Sequence, residues 1–404
     1  MSETKESLTE DLLQIGLAQT TLHPLNLRVR HAAGSIITLE DGSELIDFIS
    51  GIGVSSFGHS NPQITQALKE QIELHLHVMV YGEMRQASQD RAAKLLLSLL
   101  PDALDAVYFV NSGAEAVDGA LKLARSSTGR QKILAVDGGY HGNTFGALTV
   151  SSNAARKAPF GPLIPGVEFL AWNDVQALDA IDHTFAAVIV ETVQGDAGIR
   201  IPHQGWLSSL RRKCNETGTL LILDEIQCGM GRTGKPFAFE HFDIEPDILC
   251  LGKALGGGLP MGAFVSSRSR MKRLADAPAL SHITTFGGHP LPCAAAAAAL
   301  KLLKDTDLQH TERCALRFEK TVSKHVLVKE VRRIGAYIAI ELPNAEAVNF
   351  CVHHALSQGV LIYFFLSTPC AFRVAPPLTM DEATWIRATD ILCETLDACA
   401  SSMR

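Results

Sequence analysis

The chain has 404 residues, 47% hydrophobic and 20% charged, with a formal net charge of −7 at pH 7. This is an ordinary globular composition, longer than one hydrophobic core usually supports, so two domains are expected. With no basic block and no apolar run of membrane length, nucleic acid and membranes are excluded as partners.

The start, Met1 to Asp11, is polar and acid-rich, which fits neither a secretory signal nor a transit peptide. The 9 cysteines are scattered without a C-x-x-C pair. No metal site or disulfide framework is expected, and a reducing cytoplasm is the expected location.

In chain order, Ser35 to Ile49 predicts a hairpin, with Asp41-Gly42 supplying the turn between two alternating runs. From about residue 60, short apolar runs alternate with longer amphipathic stretches. The runs are Ala106 to Val110, Lys132 to Val136, Ala186 to Val190, Thr219 to Leu223 and Asp247 to Leu251. They lack polar alternation, as strands covered on both faces should. Between them, Ala114 to Arg125 places Val117, Ala120, Leu121 and Ala124 on one helical face, and Gly205 to Thr217 also predicts a helix. The pattern is a parallel sheet wrapped by helices, an α/β domain. After Pro290-Leu-Pro292 the composition shifts toward a smaller α+β domain. It holds an alanine-rich helix over Cys293 to Lys304 and an amphipathic stretch to Lys324. A strand-like run from Val331 to Leu342 and a helix near Ala347 to Leu356 follow. Last come Gly359 to Tyr363, Phe372-Arg-Val and a final helix from Asp381.

The strand ends carry the chemistry. Ser112 caps the helix after the first run, and Glu115 completes an S-x-x-E capping box. Such a helix start also binds phosphate through free N–H groups, although an ordinary capped helix explains the residues as simply. Tyr140, beside Gly138-Gly139 and His141-Gly142-Asn143, offers a ring to stack on a flat cofactor, or packs as a surface aromatic. Glu191, Gln194 and Asp196 end another run, at the crevice of a parallel sheet or in a solvated loop. Asp224 follows four apolar residues and needs a partner there; a pyridinium N–H, a cap or an ion pair each serves. Ser281 to Gly288, with Thr284 and Thr285, suits phosphate or a plain turn. Arg373 is a lone arginine in an apolar segment, fitted to a carboxylate or a structural ion pair. Lys253 ends the fifth run and opens Ala-Leu-Gly-Gly-Gly258. A lysine that attacks carbonyls and an aspartate that holds a pyridinium proton are the pair a pyridoxal phosphate enzyme requires.

The ordered set resembles the class III pyridoxal-phosphate aminotransferases, the ornithine, acetylornithine and 4-aminobutyrate group. It comprises Asn111-Ser-Gly-Ala-Glu-Ala116, Tyr140-His-Gly, Glu191-x-x-Gln-Gly195, Leu223-Asp-Glu-x-Gln227, Gly231-Arg-Thr-Gly234, Gly252-Lys-Ala-Leu-Gly-Gly-Gly258 and Thr285-Phe-Gly-Gly288. The resemblance implies fold type I, with a large cofactor-binding domain over 50–290 around a mostly parallel seven-stranded sheet. A small domain over 291–404 would pack with the N-terminal segment 1–49. It also implies pyridoxal 5'-phosphate and a homodimer with shared active sites. Lys253 would be the Schiff-base lysine and Asp224 the partner of the ring nitrogen. Gln227 would lie near the ring hydroxyl and Tyr140 on the ring, with His141 and Glu191 also at the cofactor. Ser112, Gly113 and Ala114 would hold the phosphate, and Thr285 would reach it from the other subunit. Arg373 would bind the acceptor's α-carboxylate, with Asn143, Asp196 and Thr284 on the substrate side.

The implied reaction moves the terminal amine of a basic amino acid or diamine to a 2-oxo acid, 2-oxoglutarate by expectation, in ping-pong order. Two departures bear on the donor. Carboxylate-binding members carry arginine where this chain has Asn143, a loss of roughly 1.5–3 kcal/mol per charge-assisted bond. The stretch from Tyr140 to Pro165 looks more like the putrescine aminotransferase branch. The glutamate that masks the equivalent of Arg373 in ornithine-type members is here Asp196, one methylene shorter, which weakens or removes that masking. Two other readings compete: an aminomutase or decarboxylase of the same fold, which Arg373 argues against, and a non-enzymatic binding protein, against which Lys253 and Asp224 stand.

Overall fold

Each of the five apolar runs forms a strand of one sheet in the computed structural model, which describes residues 16–403 apart from 22, 23 and 277. Met1 to Asp11, and with it the first part of the 1–49 segment, lies outside the described residues. Three strands open the chain: β1 (Val29–Ala33), β2 (Ile36–Leu39) and β3 (Glu44–Asp47). The predicted hairpin is β2 and β3, antiparallel, with Gly42 at φ +88° in the turn.

The large sheet takes β4 (Ala106–Val110), β5 (Lys132–Val136), β6 (Val167–Leu170), β7 (Phe185–Glu191), β8 (Leu220–Asp224), β9 (Ile248–Gly252) and β10 (Gly262–Ser266). Its order is β4-β10-β9-β8-β7-β5-β6, and only β10 runs antiparallel to its neighbours. The missing polar alternation has a direct cause. Leu221, Leu223, Leu249 and Leu251 enter one core, while Ile222, Ile248 and Cys250 enter a second on the opposite face. Each such side chain contributes roughly 1.5–3 kcal/mol by burial. The second core is closed by helix α1 (Gly113–Thr128), through Ala116, Val117, Ala120 and Ala124.

The C-terminal part carries β11 (Glu330–Ile334), β12 (Tyr337–Glu341), β13 (Val360–Leu361), β14 (Tyr363–Phe364) and β15 (Ala371–Val374). The single strand expected over Val331 to Leu342 is instead two antiparallel strands, β11 and β12. Gly335 turns the chain between them at φ +60°, and an added Cβ would lie 2.3 Å from the Thr233 carbonyl carbon. The run from Gly359 to Tyr363 also divides. β13 pairs parallel with β3, Ile46 opposite Val360, while β14 joins a sheet of order β11-β12-β15-β14. The start of the chain is thus stitched to its end. Phe48 packs against Phe318 and Trp385, with ring centroids 5.8 and 5.0 Å away. Strands β4, β5, β7, β8 and β9 all point their carboxyl ends to one edge, and the motif loops leave from there.

Candidate active site

A cavity of about 450 Å³ opens at that edge. Gly113 and Ala114 line one side, Tyr140, His141 and Asn143 another. Glu191, Asp224, Gln227 and Lys253 complete it. Residues separated by up to 140 positions in sequence therefore meet because five strand ends share one edge.

The helix start is prepared as expected. The Ser112 hydroxyl accepts from Glu115 N at 3.2 Å. The returning Glu115 carboxylate accepts from Asn111 N at 2.6 Å, one residue before the reciprocal capping-box position. The first N–H groups of α1 have no intrahelical acceptor, and Gly113 and Ala114 present them at the cavity. Gly113 is required by packing, since a Cβ would stand 2.8 Å from Ile226 Cδ1. Gly142, at φ +128°, could not carry a Cβ without meeting that of Ala114 at 2.6 Å.

Asp224 ends β8 and is fixed from behind. His141 Nδ1 is 2.7 Å from one carboxylate oxygen, and Ile226 N donates to the other at 3.0 Å. The histidine is in turn held by its backbone N–H, which donates to Ser151 Oγ at 2.9 Å. Each carboxylate oxygen keeps a further lone pair for the cavity. Glu191, at the end of β7, accepts from Tyr140 N and Gly195 N, both at 2.9 Å. Burial pushes its pKa up to about 7, against the pull of those donors.

Lys253 follows β9 with φ +46°, a left-handed conformation that a side chain enters at a cost of about 1 kcal/mol or more. Its amine is buried. That burial lowers its pKa, and the nearby Asp224 and Glu191 charges pull the other way. An amine so placed loses its proton more readily and is a better nucleophile. Gln227 Nε2, His141 Nε2 and Tyr337 Oη are buried without a hydrogen-bond partner among the described residues.

Asp196 and Arg373 sit behind the cavity wall. The Asp196 carboxylate accepts from Leu366 N at 2.8 Å and Ser367 Oγ at 2.6 Å. Arg373, from β15, approaches it at 3.6 Å with a side chain only 4% exposed, lying 4.5 Å over the Phe365 ring. Its Nε has no partner. Thr284 and Thr285 are not brought to Lys253 within this chain. The Thr284 hydroxyl accepts from Asn111 Nδ2 at 3.2 Å, and Thr284 borders a separate cavity with Phe145 and Asp118. The Thr285 carbonyl lies 2.9 Å from His77 Nε2.

Sequence reasoning missed Ile226, Gly142 and Ser151, which shape or brace the site, and Arg156, which reaches Asp196 from outside at 3.4 Å. The signal for Gly142 was present in the Tyr140-His-Gly motif. Ile226 fills the open position of the Leu223 to Gln227 motif, and Ser151 and Arg156 lie in the Tyr140 to Pro165 stretch, whose resemblance is carried by the whole rather than residue by residue.

The residues fit pyridoxal phosphate. The Lys253 amine would suit its aldehyde, the anchored Asp224 carboxylate its ring nitrogen and the N–H groups at the α1 start its phosphate, with the donors of Gln227 and His141 beside them. Fold and site together define a pyridoxal phosphate-dependent transferase of fold type I. The sequence pattern of the class-III aminotransferases matches residues 17–396, and the chain belongs to that family. It is 40% identical over 370 residues to an acetylornithine aminotransferase of Methanopyrus kandleri, covering 90% of this chain and 93% of that one. Two solved structures of an ornithine aminotransferase from Toxoplasma gondii superpose with a TM-score of 0.91 at 29% identity. They cover 98% and 99% of this chain and 95% and 96% of theirs.

Proposed function

We propose that this aminotransferase takes the terminal amino group of a basic amino acid or diamine and passes it to 2-oxoglutarate in ping-pong order. The observation that carries the reading is the buried Lys253 amine, in a left-handed backbone, within the same cavity as Asp224 and the α1 start. The names of its relatives, an acetylornithine and an ornithine aminotransferase, support a donor of that kind.

When bound, pyridoxal phosphate supplies an aldehyde that captures amines and a ring that accepts electrons from the substrate carbon. The chain supplies the rest. Lys253 would hold the cofactor covalently between turnovers and, once displaced by the donor, carry the proton to and from the substrate carbon. Asp224, oriented by His141, would keep the ring nitrogen protonated. Gly113 and Ala114, beside the capping Ser112, would hold the phosphate through backbone N–H groups. Tyr140 would cover the ring, and Gln227 would donate its free amide beside it. Glu191, held by two backbone N–H groups, would fix the Tyr140 loop against the cofactor. Arg373 would bind the acceptor's α-carboxylate, with Asp196, Asn143 and Thr284 shaping the substrate side.

The domain division at residues 50 and 291 belongs to this proposal, as does a cytoplasmic homodimer with shared sites. Thr284 and Thr285 lie away from their own Lys253, next to the exposed Leu280, Ile283 and Phe286, which supports a role in a partner's site. No described helix is long and apolar enough to cross a membrane. The test is a half-reaction screen. Each candidate amine is mixed with the yellow holoenzyme and its conversion to the pyridoxamine form is followed, then glutamate is measured after adding 2-oxoglutarate. Product formed without any 2-oxo acid would instead place the enzyme among aminomutases or decarboxylases.

A further inference from the structure

Two smaller cavities continue outward from the Lys253 site. One of about 110 Å³ shares Tyr140 and Asn143 with it, and one of about 430 Å³ shares Asn143. Both are bordered by Arg156, and among the described residues no other arginine or lysine lines either of them. The outer cavity is otherwise apolar apart from Asn143, walled by Phe145, Leu148, Pro159 and Phe160. Asn143 therefore stands between the cavity of the Lys253 amine and a largely apolar chamber with one cation at its side.

Arg156 is held without being used up. One terminal nitrogen donates to the Leu366 carbonyl at 2.8 Å, and the other stands 3.4 Å from Asp196. A guanidinium has five N–H donors, and this side chain is 31% exposed. Asp196 is satisfied by shorter bonds, to Leu366 N and Ser367 Oγ, so it neutralises charge near Arg156 without claiming its best donors. The same aspartate stands 3.6 Å from Arg373 on its inner side. Two cations thus flank one carboxylate, one sealed behind the site and one open at its outer end.

We propose that Arg156 is a specificity residue that binds the carboxylate a substrate carries remote from its reacting carbon, the function that Asn143 cannot perform. The inference deepens the transaminase reading above and rests on it. It makes the preferred acceptor a dicarboxylic 2-oxo acid, with one carboxylate for Arg373 and the distal one for Arg156. The same anchor accepts a donor bearing a carboxylate distant from the amine that reacts.

The test compares wild type, Arg156→Gln and Arg156→Lys. The kcat/KM preference for 2-oxoglutarate over pyruvate should fall about ten- to a hundredfold in Arg156→Gln, mainly through KM, because one charge-assisted bond is lost. Arg156→Lys should restore part of it. Glutarate, a diacid with no carbonyl to react, should bind the holoenzyme several-fold more weakly in Arg156→Gln by calorimetry. An equal loss on both 2-oxo acids, or unchanged glutarate binding, would overturn the proposal. Were the wild type to transfer no amino group to either acceptor, the transaminase reading would fall, and glutarate binding would still decide the role of Arg156.

Discussion

Asp224 and Asp196 are both buried carboxylates with a basic neighbour, yet they are built differently. Asp224 meets its neighbour, His141, at 2.7 Å and takes a backbone N–H on the other oxygen. Asp196 gives its short bonds to Leu366 N and Ser367 Oγ, while its arginines stand at 3.4 and 3.6 Å. The first arrangement spends the basic group on orienting the acid, leaving the acid's remaining lone pairs to face the cavity. The second spends the chain on fixing the acid and leaves the basic groups with donors for a ligand. Under the roles proposed above, the difference would give cofactor chemistry to one region and substrate choice to the other.

Breaking that comparison starts with the acids themselves. Asp224→Asn should lower kcat by roughly 10²–10³ for every donor, the size of losing one electrostatic partner at the reacting group. Asp196→Asn should cost far less and act through KM, because its main contacts are to the chain. Steady-state kinetics on both variants decide the point, and equal kcat losses would erase the distinction. Next in size, Arg373→Ala should raise KM for 2-oxoglutarate by roughly ten- to a hundredfold and change the donor's KM much less. Parallel rises for both substrates would remove Arg373 from acceptor binding.

How much of this was legible in the sequence follows from the physics of each part. The strands from Ala106 to Leu251 were readable because burial on both faces leaves unbroken apolar runs. The strands β6 and β10 were not: β6 carries Glu168 within its four residues, and β10 opens on Gly262 at the end of a glycine-rich loop. The break at Gly335 was hidden inside a run that stays strand-like on both sides. Lys253, Asp224 and the capped helix at Ser112 announced themselves by standing at strand ends. Their convergence needed the sheet order, and the His141–Asp224 contact needed two loops 83 positions apart to meet. Arg156 lies inside the stretch that resembles the putrescine branch, but nothing in the sequence shows the cavities it borders.

A third buried acid sharpens the contrast. Glu225 has no cationic partner within its own hydrogen-bond set: it accepts from Thr192 Oγ1, Ala238 N and Phe239 N. Burial still pushes its pKa up to about 7 from the ordinary 4.5. The folded state therefore holds this proton over a window where the unfolded chain has lost it, and stability falls as pH rises from 4.5 through 7. The stability lost is about 2–3 kcal/mol across that window. Thermal unfolding of the cofactor-free protein at pH 5 and pH 8 should show a smaller difference in Glu225→Gln than in wild type, and an unchanged difference would refute the shift. Smallest of all, Lys253→Gly should stabilise the cofactor-free protein by about 1 kcal/mol, because glycine adopts φ +46° without strain. Denaturant unfolding measures it, and a clear loss of stability would mean the backbone there is unstrained.

The central claim is that Lys253 carries the cofactor. Borohydride reduction of the native holoenzyme, followed by digestion and peptide sequencing, tests it in one step. The account predicts a single labelled fragment with the modification on Lys253; label on any other lysine, or none at all, would contradict it.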